Sequence, residues 1–199
     1  MTKPLSHNRG IGVGLRPAHY EVFLREKPRS VTWVEVISEN YMPWEESEFS
    51  AAIDTLLQIR TDYEISLHGV SMNLGSADPV DLPYLGRLRR LIATVDPCAV
   101  SDHIAWTGVG GQNTHDLLPL PYTAESLDHL VCKIDQVQNA LARQIMVENP
   151  SSYLEFVHSE MTEPEFLSEL LHRSDCMLLL DINNVFVSSV NHQFDPKAY

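Results

Sequence analysis

Five side chains that commonly bind metal ions stand in this sequence where short apolar runs end. They are Glu39, His68, His103, Glu148 and Asp181. Imidazole and carboxylate ligands without a set of thiolates suit iron, manganese or zinc, and open sites of this kind are typically catalytic because water, dioxygen or substrate takes the remaining positions. A carboxylate such as Glu148 has two oxygens and could bridge two metal ions.

The spacing of these residues indicates how they could meet. Successive members are 29, 35, 45 and 33 residues apart, about one strand–helix unit each. Ligands of parallel α/β folds bind at the carboxyl ends of the strands, and in a (β/α)₈ barrel those ends share one face. A single histidine or carboxylate at a strand end is more often a hydrogen-bonded structural residue or a helix cap. Five coincident positions favour a shared metal site.

A second group of polar residues lies beside the same strand ends. Its members are Asp102, His115, Asp116, Asn149, Asn184 and His192. We interpret them as further candidates for metal binding or for hydrogen bonds to the ligands. The asparagines also cap and turn readily, so a purely structural role stays open for them.

The elements that must position these side chains alternate between strand and helix. We predict strands over 10–15, 31–37, 63–67, 98–101, 144–147 and 178–180, and helices over 19–27, 49–60, 82–93, 123–143 and 162–172. Such alternation predicts a parallel sheet with helical crossovers in one α/β domain spanning 1–199. Thr123 and Thr162 are predicted helix caps, with Glu165 completing a capping box. We predict a loop for 104–121 and the start of a further turn and helix at 191–196.

Composition limits the classes of partner. The 199 residues carry a formal charge of -13, from 27 acidic and 14 basic residues, which argues against a nucleic-acid partner. No apolar run reaches the roughly 18 residues of a transmembrane helix, and residues 1–9 lack the apolar segment of a secretory signal. Three widely spaced cysteines suit a reducing compartment. We therefore expect a cytoplasmic protein without a membrane partner.

Six motifs occur in the order and spacing of one known family. They are Gly12-Val13-Gly14-Leu15-Arg16, Glu39-Asn40-Tyr41, Ser66-Leu67-His68-Gly69-Val70, Ser101-Asp102-His103, Glu148-Asn149-Pro150-Ser151-Ser152-Tyr153 and Asp181-Ile182-Asn183-Asn184. Over essentially its whole length the chain resembles the multinuclear non-haem iron-dependent oxidative enzymes, long known as an uncharacterised protein family. The methanobactin-biosynthesis iron enzyme is a member.

The resemblance implies a TIM-barrel fold of the xylose-isomerase-like kind, with two or three irons at the strand ends. It implies dioxygen-dependent oxidation of cysteine or other residues in ribosomally made precursor peptides. It also implies a small partner protein that recognises the peptide leader. By motif, His68 and His103 match paired histidine ligands, Glu148 matches a bridging carboxylate, and Asp181 matches the carboxylate on the sixth strand.

This sequence departs from the family at its end. Family members continue past the point that matches Tyr199, with Ala-Gly-His and Asp-Thr-His-Gly motifs that supply further ligands. About six βα units cannot close an eight-stranded barrel, so we expect an incomplete barrel that lacks its C-terminal units. Two alternatives stay open: a metal-dependent sugar isomerase or phosphodiesterase-like hydrolase on the same barrel, and a catalytically inert truncated product. Whether this chain is itself an enzyme stays open with them.

Overall fold

A computed structural model describes residues 9–44 and 48–199 of the chain. Residues 1–9 are predicted to lack a secretory signal, and of these only Arg9 is among the described residues. The described residues form eight strands: β1 Gly12–Gly14, β2 Trp33–Ile37, β3 Glu64–His68, β4 Ala99–His103, β5 Trp106–Val109, β6 Gln112–Leu118, β7 Met146–Glu148 and β8 Met177–Leu179. Six of them form a sheet in the order β1-β2-β3-β4-β7-β8, and β5 pairs with β6 separately.

Helices connect the strands of the sheet, as the alternating pattern predicts. They are α1 Tyr20–Arg25, α2 Ala52–Arg60, α3 Leu82–Val95, α4 Ala124–Leu141 and α5 Glu163–Ser174, and a further helix, α6 Ile182–His192, follows β8. Both predicted caps are confirmed. The Thr123 hydroxyl accepts a hydrogen bond from the Ser126 amide at 3.2 Å, and the Glu165 carboxylate accepts one from the Thr162 amide at 2.9 Å. Such caps satisfy amide groups that the first helical turn leaves without a partner.

The packing divides the chain into two compact units. The first contains residues up to Gly69 together with Leu82–Ser101, and the second contains Val70–Asp81 together with Asp102–Tyr199. Strand β4 passes from one unit into the other after Ser101. The expectation of one domain stays a prediction.

The core of the first unit lies between its strands and helices. In β2, Val34 and Val36 are buried while the residues between them are more exposed, as the two-residue period of a strand requires. Strand β2 pairs with β3 in parallel, with Ile37 opposite His68. Strand β3 in turn pairs with β4, with His68 opposite Ser101. The apolar run of β3 therefore delivers His68 to the carboxyl end of two neighbouring strands.

The core of the second unit depends on the long helix α4. Its buried apolar residues recur at helical spacing: Leu127, Leu130, Ile134, Val137 and Leu141. Burying one such side chain stabilises the fold by about 2 kcal/mol. Phe166 of α5 is fully buried, and its ring lies 5.0 Å from that of Tyr122. This core fixes β7, whose last residue is Glu148.

Two local predictions are wrong. The stretch predicted as a loop contains the antiparallel hairpin β5–β6, in which Val109 pairs with Gln112. Gly110 and Gly111 connect the strands at φ 61° and 74°, the backbone that a tight hairpin turn requires and that glycine adopts readily. The sequence does not predict this hairpin, because β6 is largely exposed and therefore lacks the apolar alternation that indicates a strand.

The second wrong prediction concerns the last helix. It does not start at 191–196 but spans Ile182–His192, with Asp181 as its N-cap. Its many β-branched residues obscure the helical pattern in the sequence. No helix of the described residues is long and apolar enough to cross a membrane.

Candidate metal centre

His103 and Glu148 form the centre of the candidate site. His103 is the last residue of β4 and Glu148 the last of β7. Their side chains are only 9% and 7% exposed, and His103 Nε2 lies 3.6 Å from Glu148 Oε2. Two ligands bound to one metal ion at about 2.1 Å each are roughly 3 to 4 Å apart. The pair therefore has the separation that a shared ion needs.

Backbone pairing keeps these two side chains together. The Ile104 amide, next to His103, donates to the Glu148 carbonyl oxygen at 2.9 Å. Because the two strand ends are joined at the residues that carry the ligands, neither side chain depends on a loop for its position. Sites on strands are held more precisely than sites on loops.

Asp102 positions the backbone around His103. Its Oδ1 accepts from the His103 amide at 2.7 Å, and its Oδ2 accepts from the Met72 amide at 2.9 Å. The residue is 1% exposed. Its Oδ1 lies 3.9 Å from His103 Nδ1, within ion-pair range. The structure thus places this second-group residue beside the histidine, with both carboxylate oxygens on backbone amides.

Asn184 holds the carboxylate of Glu148. Its Nδ2 donates to Glu148 Oε1 at 3.2 Å and to the Asn149 carbonyl oxygen at 3.0 Å. Its own amide donates to Asp181 Oδ1 at 2.8 Å, which caps α6. Partners of this kind orient ligands and are as much a part of a metal site as the ligands themselves. Asn184 therefore connects the helix cap to the orientation of Glu148.

Asn149 ties strand β7 to the start of α6. Its Oδ1 accepts from the Asp181 amide at 2.8 Å, and its Nδ2 donates to the Asp181 carbonyl oxygen at 3.1 Å. This reciprocal pair fixes Asp181 next to Glu148. Asn149 is 1% exposed, which agrees with a structural function in the site.

His103, Glu148, Asp181 and Asn184 line a cleft of about 290 Å³. Its lining comprises His103, Asp116, Leu117, Glu148, Pro150, Ser151, Tyr153, Asp181 and Asn184. Three of the side chains are carboxylates, one is an imidazole and none is a lysine or arginine. A concave site with this charge and these donor atoms suits a hard or borderline cation. The residues present therefore fit a metal ion.

His68 belongs to the first unit and ends β3. It is 8% exposed, and its Nδ1 lies 2.8 Å from Ser101 Oγ. Ser101 Oγ in turn donates to the Leu67 carbonyl oxygen at 3.5 Å. The His68 ring is therefore held at Nδ1 by a neighbouring hydroxyl. Metal-binding histidines typically carry such a bond on the nitrogen that does not bind the metal.

The remaining predicted residues have different surroundings. In the first unit, Glu39 Oε1 accepts from the Tyr84 hydroxyl at 2.8 Å. His115 is exposed on β6, whereas its neighbour Asp116 lines the cleft. His192 lies at the end of α6, where its Nε2 is 3.0 Å from Ser152 Oγ. It lines a second cavity of the same unit and not the cleft.

Sequence reasoning missed Ser101 and Tyr153 as parts of this region. Ser101 precedes His103 by two residues on β4, so the two-residue period of a strand was the signal that could have found it. Tyr153 is 66% exposed and lines the cleft. Its side chain accepts a hydrogen bond from Ser151 Oγ at 3.2 Å. Nothing in its sequence context indicates this position.

Comparison with known proteins identifies the family. The sequence model of the RiPP precursor modification enzyme MbnB/TglH/ChrH matches residues 10–199. The chain belongs to this family. The resemblance drawn from the six motifs is thereby confirmed, and the match includes every residue of the candidate centre.

Curated relatives carry names that state no activity. A UPF0276 protein of Caulobacter vibrioides is 49% identical over 190 residues, which are 96% of this chain and 66% of that protein. One of Acaryochloris marina is 47% identical over 191 residues, 96% of this chain and 67% of that protein. One of Rhizorhabdus wittichii is 50% identical over 189 residues. The chain spans about 66% of the length of the first of these relatives.

A solved structure supports the fold class. The chain resembles a sugar phosphate isomerase/epimerase from Parabacteroides distasonis with a TM-score of 0.52 and 12% identity, covering 96% of this chain and 73% of that one. At this identity the likeness shows the fold alone. Together with the six parallel strands and their helices, it confirms the predicted α/β fold of the TIM-barrel type.

Proposed function

We propose that the protein is an iron-dependent enzyme that oxidises residues of a ribosomally made precursor peptide, with cysteine as the target and dioxygen as the oxidant. The observation that carries the proposal is the buried His103–Glu148 pair at 3.6 Å, in a chain that belongs to the RiPP precursor modification enzymes. A small protein that recognises the peptide leader is the proposed partner.

His68, His103 and Glu148 are the proposed core ligands. All three side chains are buried, and two imidazoles with one carboxylate are groups that could hold a metal ion. Asp181 is the proposed fourth ligand, because it lines the same cleft as His103 and Glu148. Burying the Glu148 carboxylate beside the His103 imidazole is costly unless a cation or a proton compensates its charge. A bound cation would provide that compensation.

The protein residues have separate tasks in this proposal. His103 and Glu148 bind the ion, and Asn184 holds Glu148 through its Oε1 at 3.2 Å. Asp102 fixes the backbone at His103 through two amide bonds. Bound iron would supply dioxygen binding and electron transfer, and it would lower the pKa of a coordinated substrate thiol. The cleft walls would exclude bulk water from that thiol.

The test measures metal content and dioxygen uptake together. The protein is produced without added metal and reconstituted anaerobically with Fe(II), Mn(II) or Zn(II), and bound metal is counted by mass spectrometry. Dioxygen consumption is then followed with a cysteine-containing peptide and with the same peptide carrying serine instead. We expect consumption with Fe(II) and the cysteine peptide only.

Three outcomes would contradict the proposal. Tight binding of Zn(II) with no dioxygen uptake under any condition would favour a hydrolase or isomerase that uses the same ligand types. A thermal midpoint that no metal raises would favour an inert product, because a ligand that binds the folded state must stabilise it. A metal-bound protein that consumes dioxygen with both peptides would exclude cysteine as the target.

A further inference from the structure

We propose that a second cavity in the second unit binds an apolar side chain of the precursor peptide, flanked by a basic residue, close to the residue that is modified. The inference rests on the proposed function, because it assumes that a peptide reaches the metal cleft. The cavity has a volume of about 860 Å³, within the range of pockets that hold ligands.

One segment separates this cavity from the metal cleft. Along 150–155, Ser151 and Tyr153 line the cleft, while Ser152 and Leu154 line the larger cavity. Successive residues of this segment line different cavities, so the two cavities lie on either side of one stretch of chain. A peptide that occupies both would need roughly 10 Å, or about three extended residues, to pass from one to the other.

Helix α6 holds this shared wall in place at Ser152. The Ser152 amide donates to Ser188 Oγ at 2.9 Å, and its carbonyl oxygen accepts from Asn191 Nδ2 at 2.8 Å. His192 Nε2 lies 3.1 Å from the same carbonyl oxygen. A wall fixed by three residues of one helix is preorganised, which reduces the entropy that a ligand must overcome.

The lining of the larger cavity favours an apolar side chain. Leu154 is 47% exposed, Val157 97% and Phe194 37%, and all three line it. Apolar groups left in contact with water at a concave surface mark a place where binding releases that water.

The charged groups of the lining favour a basic neighbour. Glu155 and Asp195 line the cavity, and both residues are exposed. Among the residues that the structure describes, no lysine or arginine lines the cavity. The imidazole of His192 lies beside this rim, with its Nδ1 3.8 Å from Glu155 Oε1. A peptide with lysine or arginine next to its apolar residue would complement this rim, and an acidic neighbour would be repelled.

The test compares three fluorescein-labelled decapeptides of glycine and serine that carry one cysteine. The first has phenylalanine three residues after the cysteine and lysine after that; the second replaces phenylalanine with glycine; the third replaces lysine with glutamate. Fluorescence anisotropy with the 199-residue chain in EDTA gives each Kd. We expect the first peptide to bind roughly tenfold more tightly than the second, the difference expected from burying one aromatic ring.

Two matched pairs of variants locate the binding. Leu154→Asp should abolish the preference for phenylalanine, while Val109→Asp, at a 49% exposed position on the hairpin, should retain it. Glu155→Lys should lower the preference for lysine over glutamate by roughly threefold at low salt, while Glu169→Lys on α5 should not. Circular dichroism melts verify that each variant is folded, since all four positions are exposed.

Equal binding of the first two peptides would overturn this inference. An equal loss of the preference for phenylalanine in Leu154→Asp and Val109→Asp would also overturn it. A dimer in sedimentation experiments that Leu154→Asp dissociates would also overturn it, by assigning the cavity to a second copy. Because binding is measured in EDTA, a chain that discriminates the peptides but never binds metal would refute the proposed function alone. A chain that binds Fe(II) without discriminating them would refute this inference alone.

Discussion

The two cavities of the second unit share a wall but differ in chemistry. The cleft of about 290 Å³ contains carboxylates and an imidazole whose positions are fixed by backbone amides and asparagine side chains. The cavity of about 860 Å³ is lined mainly by apolar groups, with carboxylates at its rim. An ion needs ligands held at fixed short distances, whereas an apolar side chain needs space and displaceable water. The difference indicates that each cavity has its own type of occupant.

The largest expected effect tests the ion-binding side of this comparison. His103→Ala removes a proposed ligand, and we expect Fe(II) affinity to fall by at least about 100-fold, since loss of even a supporting partner costs 10- to 100-fold. Isothermal titration under anaerobic conditions measures it. His115→Ala is the matched control, because that histidine is exposed on β6. A similar loss of Fe(II) affinity in His115→Ala would assign the β5–β6 hairpin to the metal site. That result would contradict the stated difference between the two cavities.

A smaller effect is expected from Asn184→Ala. This variant removes the donor that holds Glu148 Oε1 but keeps the backbone amide that binds the Asp181 cap. We expect metal affinity to fall by roughly 10-fold or more, with peptide binding in EDTA unchanged. Asn183→Ala is the control, since Asn183 is exposed. Unchanged metal affinity in Asn184→Ala would show that Glu148 does not need this support.

The smallest effect concerns the larger cavity and its pH dependence. Burial raises the pKa of the Glu163 carboxyl, while the neighbouring Tyr122, Tyr199 and His192 act in the opposite direction. Because the folded state holds this proton more tightly than the unfolded state, stability should fall as pH rises from the ordinary glutamate pKa of about 4.3 through the raised value.

Glu163→Gln should remove that part of the pH dependence. At pH 8 we expect the melting temperature of the variant to approach or exceed that of the wild type. At pH 4.5 we expect it to be lower, relative to that of the wild type, than it is at pH 8. Thermal melts across this range measure it, with Glu169→Gln as an exposed control. Parallel pH profiles of the wild type and Glu163→Gln would contradict the stated effect of burial. The metal affinity of Glu163→Gln at pH 8 should equal that of the wild type, because Glu163 lines the larger cavity and not the metal cleft.

The sequence predicts the sheet better than it predicts the contacts around the site. Apolar runs at β3, β4 and β7 end in His68, His103 and Glu148, and both the strands and their order along the chain follow from that pattern. Strand ends are local features of hydrophobic periodicity. The fold class and the family could therefore be predicted from the sequence.

Hydrogen-bond partners across long sequence separations could not be predicted. Asn184 reaches Glu148 over 36 residues, and Asp102 reaches Met72 over 30. These pairs depend on tertiary packing, which no local pattern encodes. The β5–β6 hairpin was missed for a related reason, since its strand β6 is exposed and its sequence has no buried face to produce an alternation. The ligand set itself stays a prediction.

Asp102 has a consequence for which substitutions this position tolerates. Both of its oxygens receive backbone N–H groups, from His103 at 2.7 Å and from Met72 at 2.9 Å. An asparagine of the same shape would turn one amide nitrogen toward an N–H, so that two donors would face each other. A glutamate would add a methylene in a place that is 1% exposed. Neither asparagine, which has the same shape, nor glutamate, which has the same charge, can accept both hydrogen bonds here. These two bonds hold the loop at Met72 in register against the end of β4.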